Sequence, residues 1–150
     1  MIKDKSTDVL NFLILLHNDR IAGYKVAFKE TNYEDLKFFL SQSIQTSKEF
    51  KSELMVEIEK LGKQPDDITR LNGKIFRAWM DFKSMVLRKD RRAFLGSCEY
   101  SEYVALHAYK NVLGNDNLDS TLIPLLTAQY HFIQSEREKI VELRSSLMIA

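Results

Sequence analysis

The chain has 150 residues and a formal net charge of +1, from 22 Lys and Arg against 21 Asp and Glu, with 45% hydrophobic residues, 5 Gly and 2 Pro. That length fits one domain over residues 1–150, burying roughly 68 to 70% of its unfolded surface, and the composition excludes a disordered chain. The balanced charge leaves no broad footprint for nucleic acid, and the single cysteine, Cys98, excludes an internal disulfide.

Helix 1 is predicted over about residues 7–31, where Leu10, Ile14, His17, Ile21, Tyr24 and Phe28 recur at steps of three and four and form a buried stripe. His17 places a basic imidazole in the middle of that stripe. Its uncharged run, VLNFLILL, is too short to span a bilayer, and Asp4 and Asp8 interrupt the basic lead of a secretion signal. The expected location is therefore the cytoplasm, where a lone thiol stays reduced, with no membrane partner.

Asn32 is predicted to cap helix 2, with Asp35 answering as the capping-box residue, so that the first two helices form a tight antiparallel hairpin. Helix 2 ends in EKLGKQP, where Gly62 supplies a left-handed terminating position and Pro65 prevents a restart.

A third amphipathic segment, TRLNGKIFRAWMDFKSMVLR over residues 69–88, is long enough to travel most of the length of a bundle as a crossover. Its apolar residues cover more than one face, which makes Phe76, Trp79 and Met80 candidates for an interface with a homodimer or another protein partner. The basic run RKDRR, Arg88 to Arg92, reads as a solvated helix junction; as a phosphate or acidic-partner site it would rest on Arg88, Arg91 and Arg92.

Helix 4 is expected over about residues 90–113, stopped by Gly114, and helix 5 runs to about residue 147 with Pro124 in its first turn. Leu122, Leu126, Gln129, Ile133, Glu136, Ile140, Leu143 and Leu147 form a bundle seam in helix 5. Two helical hairpins joined by a traversing segment give an all-α fold: a ferritin-like four-helix bundle with an additional crossover helix.

The segments HNDRIAGYKVAF, SKEFKSELMVEIEKLG, FRAWMDFKSMV and CEYSEYVALHAYKNVL, in that order, resemble a bacterial ferritin-like four-helix-bundle family of unknown function. The most specific part is WMDFKS. The resemblance implies the same fold and a stress-related setting, and it transfers no settled chemistry.

Di-metal carboxylate bundles use a Glu on each of two helices and a Glu-x-x-His on each of the other two. Here Ile14, Val104 and Ala128 stand three residues before His17, His107 and His131, so the motif is absent. Polar residues nonetheless interrupt the stripes, among them Glu102 in the helix 4 series Leu95, Cys98, Glu102, Ala105, Tyr109, Val112. Two readings follow. The first is a buried hydrogen-bonded network with no cofactor, in which His17 bonds Ser47 and the carboxylates find Gln129, Tyr24 or Tyr109. The second is a degenerate iron or manganese site using His17, Glu102 and Glu136, with Glu49 or Glu99 rotating in. The missing motifs favour the first, because they remove most of the charge that holds two cations. Cys98 reads as a small core residue, and His107 and His131 as rim residues. The expectation is a non-catalytic structural or protein-interaction module rather than an enzyme.

Overall fold

A computed structural model describes residues 2–65 and 91–149, with side chains described for residues 5–65 and 91–145. All regular structure among the described residues is helical: α1 Ile2–Glu30, α2 Glu34–Lys60, α3 Arg91–Leu113 and α4 Ile123–Ile149, the last preceded by a single 3-10 turn, Ser120–Leu122. The expected crossover over 69–88, with Phe76, Trp79, Met80 and Arg88, lies outside the described residues.

Helix α1 starts at Ile2 rather than near residue 7. Ser6 and Thr7 are buried within it, and the Ser6 hydroxyl accepts the Asp119 amide at 2.9 Å, which docks the first turns on the loop between α3 and α4. Its buried face is also wider than one stripe. Leu10, Ile14, His17 and Tyr24 are buried as expected, but so are Leu13, Leu16 and Arg20, whereas Ile21 is half-buried and Phe28 is exposed. A helix packed against more than one neighbour buries an arc that a single seam underestimates.

Helix α2 follows after three residues, and its cap differs from the expected one. Tyr33 rather than Asn32 occupies the capping position, with no side-chain cap bond. The Tyr33 amide is taken instead by the Thr31 hydroxyl, at 3.3 Å, while Glu34 and Asp35 place negative charge on the first turn, where the helix dipole favours it. The other end is as expected. Gly62 has φ 78°, its amide donates to the Glu59 carbonyl at 2.9 Å, and the Lys63 amide reaches back to the Ile58 carbonyl at 3.2 Å. This pair of bonds is the Schellman motif, which satisfies two orphan carbonyls only if the residue after the cap is left-handed. Gly62→Ala is expected to cost about 1 kcal/mol, because a Cβ is strained at that φ. Urea unfolding checks this, and since no atom lies within 4 Å of the added carbon, any loss measured is backbone strain.

Arg91, at the start of α3, forms a two-pronged pair with Asp35, one bond at 2.9 Å, and lies over the Tyr33 ring at 5.1 Å. The starts of α2 and α3 are therefore adjacent, so these helices run parallel, with Lys60 and Arg91 at opposite ends of the bundle. The pair also gives Arg91, one of the arginines of the basic run, a carboxylate partner. Helix α3 turns back through residues 114–119, where the Asp119 carboxylate accepts the Thr121 amide at 3.0 Å and caps the 3-10 turn. Hydrogen bonds to Thr121 hold its carboxyl below the usual range.

The core lies between the hairpins and includes Leu10, Leu13, Leu40, Leu54, Ile58, Leu95, Leu126 and Ile133. The whole expected stripe of α3, from Leu95 to Val112, is buried, as are Leu122, Leu126, Gln129, Ile133 and Ile140 of the last seam. No helix among the described residues is long and apolar enough to cross a membrane.

Candidate functional site

Midway along the bundle, polar side chains from three helices interrupt this core. His17, Arg20 and Tyr24 stand at successive steps of three and four on α1, so they share one face. Glu102 and Tyr109 stand two turns apart on α3, and Gln129 projects from α4; all six side chains are buried.

They form two linked units. In the first, Arg20 donates to the Glu102 carboxylate at 2.5 Å and the Tyr24 hydroxyl donates to the same oxygen. The guanidinium also lies 5.4 Å from the centre of the Tyr24 ring. Burial opposes the charge of Arg20, but the Glu102 carboxylate and Tyr24 outweigh it and raise its pKa, so it stays a cation. Tyr24 is pushed up by burial and then by Glu102, and stays a neutral donor. A buried ion pair repays its desolvation only when extra hydrogen bonds satisfy it, and Tyr24 supplies one here.

The second unit is His17, Tyr109 and Gln129. The Tyr109 hydroxyl donates to Gln129 Oε1 at 2.6 Å and lies 2.7 Å from His17 Nε2. One hydroxyl has one proton to give. With that proton on Gln129, His17 Nε2 must carry its own hydrogen and donate to the Tyr109 oxygen. The Gln129 amide nitrogen continues outward to the Phe50 carbonyl and to Glu53, each at 3.4 Å. His17 is thus the neutral Nε2–H tautomer. Burial, then the nearby Arg20 charge, lower its pKa well below the ordinary value. The Phe50 ring meets it edge-on, with centroids 5.8 Å apart.

This arrangement corrects the expected partner of His17. Ser47 is buried on α2 but makes no hydrogen bond to the imidazole, and its hydroxyl has no partner. Tyr109, one helix across, takes the bond because a phenol reaches the bundle centre and a serine does not.

The structure also separates the three residues of the metal reading. Glu102 is held by Arg20 and Tyr24, while Glu136 is half-buried on α4 and pairs with Lys139 one turn along at 3.1 Å. Glu49 is exposed and accepts from Gln45 at 3.4 Å, and Glu99 pairs with Arg144 at 2.7 Å and with Arg137 at 3.6 Å. No group of three His, Cys, Asp or Glu side chains placed to hold a metal occurs among the described residues. Among the described residues, His17, Glu102 and Glu136 do not form a shared ligand set. Glu102 is already paired with a cation on the chain itself.

Cys98 is buried, and burial followed by the Glu102 charge pushes its thiol pKa up, away from nucleophilic chemistry. His107 and His131 are exposed, as rim residues should be.

Sequence reasoning missed Arg20, which the stripe steps over by one position. The available signal was Glu102 itself, since a carboxylate in an apolar seam requires a cation or several donors. Arg20 is the basic residue three positions from His17.

Residues 5–115 match a protein family described as a domain of unknown function, DUF2383, which takes in most of the chain. No curated protein matches it.

Proposed function

We propose, from the premise that the chain belongs to the DUF2383 family, that it is a non-catalytic, ferritin-like helical bundle serving as a structural or protein-interaction module. The observation that carries this reading is Arg20. Its guanidinium takes the Glu102 carboxylate in the centre of the bundle, where a metalloprotein of similar shape would need that carboxylate for a cation. The parallel course of α2 and α3 supports the ferritin-like comparison, because a one-crossover bundle joins its hairpins in that sense. The cytoplasmic setting rests on the lone thiol of Cys98, the stress-related role on the family resemblance, and association as a homodimer on the apolar excess of residues 69–88.

The alternative, a degenerate iron or manganese protein using His17, Glu102 and Glu136, has one observation in its favour: His17 Nδ1 and Glu102 Oε2 are buried without hydrogen-bond partners. Elemental analysis after exposure of purified protein to ferrous iron and manganese separates the two readings. Wild type is expected to retain no stoichiometric metal and to scatter light as a dimer. Stoichiometric metal that disappears in His17→Ala would overturn the non-catalytic reading, and a monomer would remove the self-association.

A further inference from the structure

A cleft of about 260 Å³ opens between α3 and α4, lined by Tyr103, Leu106, His107, Lys110 and Tyr130. The first four recur at helical spacing, so one face of α3 walls the cleft over about 10 Å. Tyr103 and His107 stack one turn apart, with ring centroids 6.0 Å apart and planes 18° from parallel. They form a stacked aromatic pair on the α3 side of the cleft. Leu106 and Tyr130, both half-buried against the core, supply the apolar contact.

The polar groups of the cleft are of one kind. The Lys110 ammonium, the two phenols and the His107 ring make no hydrogen bond or ion pair with the rest of the described residues. No carboxylate lines the cleft, and none occurs in the adjoining stretches 103–113 and 123–135. An unpaired cation and two phenols in an acid-free setting select an anion, and the stacked rings select a flat apolar body attached to it. The volume falls just under the usual range of drug-sized sites, roughly 300–1,000 Å³, which suits one ring with one acidic group.

We propose that this cleft binds a small aromatic carboxylate, its ring packed against the Tyr103–His107 pair and its anionic group on Lys110. The site is independent of the buried layer and adds a ligand to a bundle otherwise read as an interaction module.

The test is an amide chemical-shift titration of the isotope-labelled full chain with benzoate, with neutral benzamide and non-aromatic cyclohexanecarboxylate as controls. Benzoate is expected to give saturable shifts centred on residues 103–110 and 130, and both controls to bind more weakly. Lys110→Gln, at an exposed position that leaves the core untouched, is expected to weaken benzoate roughly tenfold, the loss of one charge-assisted contact. Tyr103→Ser is expected to weaken it as well. Absence of saturable shifts at the cleft, equal binding of either control, or unchanged affinity in Lys110→Gln would each overturn the proposal.

Discussion

Glu102→Ala is expected to lower the stability of the bundle by about 3 to 5 kcal/mol, the range for removing one partner of a buried ion pair. The loss exceeds the worth of the contact itself. The alanine leaves the Arg20 guanidinium, only 3% exposed, as an uncompensated charge in the core, and deprives the Tyr24 hydroxyl of its acceptor. For a chain of this size the corresponding fall in Tm is on the order of 10 °C. Arg20→Met combined with Glu102→Leu should recover most of it, because an apolar pair of similar volume needs no desolvation, and the two changes are then far from additive. Thermal and urea unfolding of the two single variants and the double variant check this. A single Glu102→Ala loss below about 1 kcal/mol, the range of exposed pairs, would mean that water reaches the pair and that it does not organise the core.

The second large effect is a pH dependence centred on His17. Its folded pKa is lowered by burial and by Arg20, while in the unfolded chain it returns to about 6.5. Between those values the unfolded state binds the proton and the folded state does not, so stability rises with pH across the window. The contribution is fully present above about pH 6.5 and is lost as pH falls below it, with a limiting slope of about 1.4 kcal/mol per pH unit for one proton. The groups facing His17 deepen the effect. Arg20 on α1 repels an imidazolium, Phe50 on α2 offers a ring edge, and Tyr109 on α3 already gives its proton to Gln129 on α4. Glu102, the buried carboxylate of the network, is held by Arg20, and Glu53 reaches the network only through Gln129 at its exposed edge. His17→Leu is expected to cost about 1 to 3 kcal/mol at neutral pH, from the lost donor to Tyr109, and to flatten the slope as pH falls below about 6.5. A variant with the slope of the wild type would show that the proton goes elsewhere.

The layer shows how local pattern and tertiary placement divide the information. Every member of the α3 stripe from Leu95 to Val112 was legible, polar ones included, because burial on a helix repeats every three or four residues, although Phe94, Ser101 and Ala108 are buried beside it. Helix α1 was legible only in part, since it is buried across a broader arc, and Arg20 and Leu13 fall on flanks that a single stripe leaves out. The end of α2 was readable from Gly62, whose positive φ is a property of one residue. Its start was not, because no side chain caps it: Tyr33 holds the capping position, and Arg91, from another helix, pairs with Asp35 of the first turn.

By itself the sequence determined the all-helical class, the hairpin turns, the terminating Gly62, the absence of Glu-x-x-His and the presence of His17 and Glu102 in apolar seams. Those follow from periodicity and from backbone preferences that act over a few residues. Only the tertiary structure decided who answers whom: that Glu102 meets Arg20 rather than Glu136, and that His17 meets Tyr109 rather than Ser47. A rotation of one residue about a helix axis turns a side chain through about 100°, so the partner of a buried charge is set by how whole helices pack, which no local spacing contains.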